Sequence, residues 1–264
     1  MNSFDRFADV MRLLVSENGC PWDSVQTHES LRPCMLEEAY EVIDAINTGN
    51  KDNLKEELGD VLLQAVIHSV IAEKNGEFTL DDVINGVYDK MIFRHPHIFG
   101  NEKAEDADGL VLKWEDIKKR EKGYRTKTDE VKSVAKALPA LVRGQKVLKK
   151  SGAVKTENID RCFEIAIENI KILRNPENGN ESDKNEIIGK TLLAILNISN
   201  FFQINAEFSL TNALETYITK LEDFDNISCS SKMTKEDTGL EDEDIFIRSL
   251  MSDTLEKQKE DTKK

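Results

Sequence analysis

The sequence has little of what marks secreted, metal-thiolate or membrane-embedded proteins. Only four of its 264 residues are cysteines, and none shows the C-x-x-C spacing, which argues against both a zinc site and a disulfide framework. No run approaches the roughly 18 consecutive apolar residues that a membrane span needs. The N-terminus lacks a basic segment followed by an apolar one. We therefore expect a cytoplasmic protein that has no membrane partner.

Positive charge is also scarce. The 36 lysines and arginines are outnumbered by 50 aspartates and glutamates, and the formal net charge is −14. Because a nucleic-acid surface needs clustered basic residues, this balance argues against a nucleic-acid polymer as a partner. A small polyanionic substrate is compatible with the charge, since a bound metal ion inverts the sign of the local field.

Sequence patterns typical of β-strands are also scarce. Strict alternation of apolar and polar residues is rare, whereas apolar residues recur at spacings of three and four along most of the chain. This periodicity predicts an all-α protein. The predicted helices include residues 4–14, 36–43, 54–65, 79–93 and 108–121.

Two clusters of carboxylates are the most informative feature that the sequence does contain. They lie within residues 36–41 and 56–60, and a polar turn at 47–50 separates them. Antiparallel packing of two helices joined by this turn would crowd the carboxylates together, at a cost in free energy unless a cation lies among them. All-oxygen ligands suit Mg²⁺ or Mn²⁺, and Mg²⁺ among carboxylates is typical of phosphate chemistry. The residues at helical spacing are Glu37, Glu38, Glu41, Glu57 and Asp60.

An internal repeat is indicated by residues that recur 130 positions later without a gap. The first members are Gly59, Leu62, Leu63, Ser69, Asn75, Glu77, Phe78, Leu80 and Lys90. The second copy keeps these residues but loses the candidate chemistry. Its replacements are Ile187 for Glu57, Lys190 for Asp60 and Phe224 for Arg94. The repeat therefore serves as an internal control, and only the first copy is predicted to carry a site.

These patterns predict four segments. We expect a catalytic domain at 1–122, a polar linker at 123–130 and a degenerate repeat at 131–224. From residue 225 to 264 the apolar period fades and charge dominates, so we expect a largely disordered acidic tail with one short helix at 245–255.

The two clusters, with the spacing E-E-x-x-E and E-x-x-D, resemble the MazG family of nucleoside triphosphate pyrophosphohydrolases. Three further motifs fit that family: G-C-P-W-D at 19–23 with Gln26 and Thr27, R-H-P-H-I-F at 94–99, and W-E-x-I-K at 114–118. The match is close over residues 4–122. The two-copy layout resembles two-domain members of the family, with a degenerate second half.

The resemblance implies a helical bundle completed by homodimerisation, and Mg²⁺-dependent hydrolysis of a nucleoside triphosphate to a monophosphate and pyrophosphate. Clearance of non-standard or excess nucleotides is a candidate role. By motif, Glu38, Glu41, Glu57 and Asp60 become metal ligands, with Glu37 as a further ligand or general base. Lys90 and Arg94 become cations for the triphosphate, Trp114 a platform for the base, and Lys118 a phosphate contact.

Plainer interpretations stand beside these assignments. Taken alone, Lys90 and Arg94 would be surface charges, Trp114 a packing residue, and His68 a core or interface residue. Two other functional classes also stay open. One is a non-catalytic nucleotide-sensing or dimerisation module, and the other is a related helical phosphohydrolase with one narrow substrate, such as dUTP.

Overall fold

The computed structural model describes residues 2–100, 114, 117–153, 159–175 and 180–230, with the backbone alone at 182 and 223–230. Within these residues the chain is helical and contains no strand, which confirms the all-α prediction. The chain divides into two compact units, Met1–Glu121 and Lys122–Lys264.

The first unit is built from five helices and one short 3₁₀ turn. They are α1 (Ser3–Val15), a 3₁₀ helix (Asp23–Val25), α2 (Arg32–Thr48), α3 (Lys51–Asn75), α4 (Leu80–Arg94) and α5 (Pro96–Phe99). Residues 117–121 are helical as well. Helices α2 and α3 form a tight hairpin. Gly49 ends α2 with φ +67°, a conformation that favours glycine. The side chain of Asn50 then accepts a hydrogen bond from the Asn53 N–H and caps α3.

The hydrophobic core of this unit lies between α1 and the second half of α3. Its buried members are Ala8, Met11, Val15, Leu31, Val66, Ile67, Val70, Ile71 and Leu80. Arg12 of α1 and Glu73 of α3 fasten the two helices with bonds of 2.9 and 3.1 Å. Full burial of each large apolar side chain contributes about 1.5–3 kcal/mol. The core therefore holds the C-terminal half of α3, and the N-terminal half is left to carry polar residues against α2.

The second unit contains α6 (Lys127–Lys132), α7 (Ala140–Ser151), α8 (Ile159–Arg174), α9 (Glu181–Phe201) and α10 (Ala206–Ser230). Gln145 of α7 ties down the turn between the last two helices. Its side chain donates to the Ile204 carbonyl at 2.8 Å and accepts from the Ala206 N–H at 2.9 Å. No single helix in the described ranges is long and apolar enough to cross a membrane. The bent pair Asp183–Phe201 and Ala206–Glu222 passes that test by length and composition only.

Several predicted segment boundaries can be compared with the helices of the structure. The first residues of α3 and α9, Lys51 and Glu181, are 130 positions apart, but the duplication itself stays a prediction. Helix α6 begins inside the segment predicted as a linker, because Thr126 and Asp129 form a capping box there. The predicted tail beyond residue 230 and most of the predicted helix before residue 117 lie outside the described residues.

Candidate active site

The α2–α3 hairpin gathers the predicted carboxylates. Oxygen atoms of Glu38, Glu41 and Glu57 all lie within 4.8 Å of one another, and no other such group of potential ligands occurs in the described part of the chain. Asp60 lies close enough to Glu38 to raise its pKa, and Glu41 acts on Glu57 in the same way. The earlier residue of α2 thus lies near the later residue of α3, and the later residue of α2 near the earlier one of α3. Antiparallel helices produce this arrangement. Of the five carboxylates that the spacing predicted to come together, the structure places Glu38, Glu41 and Glu57 in this group, and Glu37 and Asp60 are not members of it.

Electrostatic repulsion is concentrated in this cluster. Burial raises the pKa of Glu38 above its ordinary range, with further contributions from the charges of Asp60 and Glu41. Burial also raises the pKa of Glu57, which is only 9% exposed, and Glu41 adds to the effect. Glu37 is exposed and is the weakest contributor to the Glu38 shift. Because each carboxylate disfavours the charge of its neighbours, a bound cation would relieve the whole group at once.

The donor set fits a hard divalent cation. Each of the three clustered residues offers a carboxylate oxygen, and oxygen ligands suit Mg²⁺, Mn²⁺ or Ca²⁺ rather than soft metals. Gln64, one turn beyond Asp60 on α3, is 5% exposed, and its Oε1 has no hydrogen-bond partner among the described residues. An amide oxygen is a further hard acceptor that adds no charge. Gln64 was not predicted as a site residue, although it lies one helical turn after Asp60.

The predicted substrate-binding cations lie at the end of α4. Thr79 and Asp82 form the capping box that starts this helix, and Arg94 is its last residue. Arg94 is only 6% exposed. Its Nε–H donates to one carboxylate oxygen of Glu121 at 2.8 Å, and its Nη2 atom forms an ion pair with the same oxygen at 2.6 Å. A partner so far along the chain was not predicted.

An aromatic ring joins this group. The Arg94 guanidinium lies 5.0 Å from the ring centroid of Trp114, and the Lys118 ammonium lies 5.1 Å from the same centroid. Three of the four residues predicted to bind substrate are therefore neighbours. Lys90, one turn earlier on α4 and partly buried, takes part in none of these contacts. The base-stacking role of Trp114 stays a prediction.

A histidine pair lies outside the predicted site and holds the loop before α2. The Nδ1 atoms of His28 and His68 are 2.8 Å apart, and the two rings stack with centroids separated by 5.1 Å. Burial lowers the pKa of His68 below its ordinary value, and the neighbouring His28 lowers it further. The Nε2 atom of His28 also faces Glu77, at 3.6 Å. His68 is partly buried, and its predicted role as a core or interface residue stays a prediction.

Comparisons with known proteins point to one group of enzymes. The family model described as "MazG nucleotide pyrophosphohydrolase domain" matches residues 26–99, which contain both carboxylate clusters and α4. The chain is 35% identical over 246 residues to the nucleoside triphosphate pyrophosphohydrolase/pyrophosphatase MazG of Thermotoga maritima. That alignment covers 92% of this chain and 93% of the relative.

Two further relatives give the same picture. The nucleoside triphosphate pyrophosphohydrolase of Escherichia coli K12 is 32% identical over 234 residues, which are 86% of this chain and 89% of that protein. The uncharacterized protein YabN of Bacillus subtilis is 37% identical over 247 residues, which are 92% of this chain but only 50% of YabN.

Proposed function

This chain belongs to the MazG family of nucleoside triphosphate pyrophosphohydrolases, and on that premise we propose how its carboxylate hairpin performs the family's reaction. The chain is a hydrolase that converts a nucleoside triphosphate to the monophosphate and pyrophosphate. In our proposal the reaction takes place at the α2–α3 hairpin of the first unit, depends on Mg²⁺ or Mn²⁺, and serves to clear nucleotides from the cytoplasm.

One observation carries the location. The oxygens of Glu38, Glu41 and Glu57 crowd within 4.8 Å, and burial plus mutual repulsion raise the pKa of Glu38 and Glu57. A folded hairpin that tolerates such crowding is explained if a divalent cation binds there together with the substrate phosphates.

Each side chain then has a distinct task. Glu38, Glu41, Glu57 and Asp60 would hold the cation. Bound there, Mg²⁺ supplies positive charge that neutralises the phosphate oxygens and a template for the triphosphate. Glu37, exposed beside the cluster, is the candidate to accept a proton from the attacking water, or it serves as a further ligand.

The substrate's charge is met by basic residues. Lys90, Arg94 and Lys118 are proposed to bind the phosphates, and Trp114 to stack on the base. The attacking water forms a bond to the α-phosphorus in line with the leaving group. The bond from that phosphorus to the bridging oxygen breaks, and pyrophosphate leaves with that oxygen. Positively charged groups close to the transferred phosphorus stabilise the charge that develops on the transition state.

A homodimer is proposed as the working assembly. Apolar side chains on the outer surfaces of α3 and α4 are exposed in the single chain, among them Leu58, Leu62, Val87 and Tyr88. Helical bundles cover such surfaces with further helices, and a second copy would supply them.

Product analysis tests the proposed function. Each of the common NTPs and dNTPs would be incubated with the protein and Mg²⁺, and the products separated to distinguish monophosphate plus pyrophosphate from diphosphate plus phosphate. We expect the first pair of products, and we expect none from the Glu38→Gln variant. The matched control is Glu186→Gln in the second unit, which should react like the wild type. Nucleotide binding without any product would favour the alternative, a nucleotide-sensing module.

A further inference from the structure

We propose that Glu121 is a positioning residue that acts on the substrate through Arg94. The proposal rests on the proposed function, because it assumes that Arg94 contacts the triphosphate. In it, Glu121 and Trp114 fix the Arg94 guanidinium in one orientation before the nucleotide binds.

The contact geometry gives the first reason. One oxygen of Glu121 accepts the Nε–H of Arg94 and lies 2.6 Å from Nη2, so it engages one edge of the planar guanidinium. A guanidinium has five N–H donors in a rigid fork. Among the described residues no hydrogen bond engages Nη1, so its donors are available to another partner in the orientation that Glu121 determines.

Burial gives the second reason. The side chain of Arg94 is 6% exposed and that of Glu121 is 27% exposed, whereas the Arg161–Glu164 pair of the second unit is 67% and 65% exposed. Exposed pairs contribute little, because their side chains stay mobile and water screens their charges. A buried guanidinium that lost its carboxylate would be strongly destabilised where it lies. Glu121 is thus what allows the Arg94 charge to be held in a buried position.

The third reason is the arrangement of partners along the chain. Trp114, Lys118 and Glu121 are each helical and are spaced i, i+4 and i+7, the spacing at which residues share one helical face. That face presents an aromatic ring, an ammonium and a carboxylate, and two of these three groups contact Arg94. Lys118, the predicted phosphate contact, therefore lies in the sequence between Trp114 and Glu121, the two residues that contact Arg94.

The test compares Glu121→Gln, Arg94→Lys and the double variant with the wild type. For each, kcat and KM for Mg²⁺-dependent pyrophosphate release would be measured, together with the Kd of a non-hydrolysable NTP analogue. We expect Glu121→Gln to lower kcat roughly 10- to 100-fold, as expected for a misplaced catalytic contact. The double variant should be no slower than Arg94→Lys alone, because a residue that acts through Arg94 has no effect once Arg94 is altered.

A matched control separates positioning from general stability. Glu73→Gln weakens the Arg12–Glu73 pair of the same unit, which also joins a guanidinium to a distant carboxylate. It should lower the Tm and leave kcat and KM of the folded enzyme unchanged.

Three results would overturn the proposal. They are unchanged kinetics in Glu121→Gln, tighter binding of the analogue, which would make Glu121 a competitor of the phosphate, and independent effects that multiply in the double variant. A wild type that binds the analogue without releasing pyrophosphate would refute the proposed function. In that case the Kd of the NTP analogue for Glu121→Gln, compared with wild type, would still decide whether Glu121 positions Arg94.

Discussion

The two units of this chain each contain a sequential pair of closely packed helices, and the two pairs differ in charge. In the first, α2 and α3 bring Glu57 against Glu41 and Glu38 towards Asp60. In the second, the sequential helices α8 and α9 also pack against each other. There Ile187 and Lys190 occupy the positions 130 residues after Glu57 and Asp60.

The two helix pairs differ in the electrostatic interactions between their charged side chains. Lys190 forms an ion pair with Glu186 one turn away, and that pairing lowers the pKa of Glu186. In the first pair of helices burial raises the pKa of Glu38 and Glu57, and repulsion from neighbouring carboxylates raises it further. The second pair thus packs with a lysine and an isoleucine at these two positions, and the crowded carboxylates of the first unit are what we propose a bound cation to explain.

The largest effect on the rate is expected when a residue of the second helix pair replaces its counterpart in the first. Asp60→Lys introduces the lysine of the second unit at the edge of the carboxylate cluster. Because the lysine repels a divalent cation, pyrophosphate release should fall by about 100-fold or more. The reverse control, Lys190→Asp, should leave the rate unchanged. Near-normal turnover in Asp60→Lys would show that the site lies elsewhere.

Stability should respond in opposite directions in the two helix pairs. Without metal, Glu57→Gln should raise the Tm, because it removes a repelled charge, whereas Glu186→Gln should lower it slightly, because it removes an exposed attraction. Added Mg²⁺ at about 100 times its Kd should stabilise the wild type by about 2.7 kcal/mol and Glu57→Gln far less. Thermal melts with and without Mg²⁺ measure both effects. Equal Mg²⁺ responses in wild type and Glu57→Gln would contradict the account.

The smallest effect concerns a residue that the second pair lacks. Ile198 stands 130 positions after His68, whose pKa is lowered below the ordinary 6.5 by burial and by His28. As the pH falls, the unfolded chain binds this proton first. The stability that the neutral ring contributes is therefore complete above pH 6.5 and is lost as the pH falls through the lowered pKa.

The slope from His68 amounts to at most one proton, or about 1.4 kcal/mol per pH unit. His68→Gln keeps a hydrogen-bonding group beside His28 but does not titrate. Its Tm should fall less than that of the wild type when melts at pH 7.5 and pH 5.5 are compared. Parallel curves for the two proteins would show that His68 does not contribute. The charged neighbour Glu77 is present in both proteins and cancels in the comparison.

Local patterns allowed much of the fold to be predicted. The period of apolar residues predicted the helices, and the turn at Gly49 predicted that two carboxylate clusters would face each other. Both depend on residues close in sequence. Helix α6 was missed because its polar composition concealed a capping box between Thr126 and Asp129.

What the sequence did not reveal depends on distant contacts. The Arg94–Glu121 bond joins residues 27 positions apart, and no spacing rule links the end of one helix to a later segment. The burial of Gln64 was hidden for the same reason, since its exposure depends on packing between helices. The ligand roles of the four carboxylates remain predictions that only metal binding and kinetics test.

Whether the α2–α3 hairpin is a metal-dependent site is tested by pyrophosphate release from wild type and Asp60→Asn, each with Mg²⁺ and with a chelator. Asp60→Asn keeps the size of the side chain and removes only its charge. We expect release that requires both Mg²⁺ and Asp60, from proteins with the same helical content. Release that persists in Asp60→Asn or in the chelator would contradict a metal-dependent site on the α2–α3 hairpin.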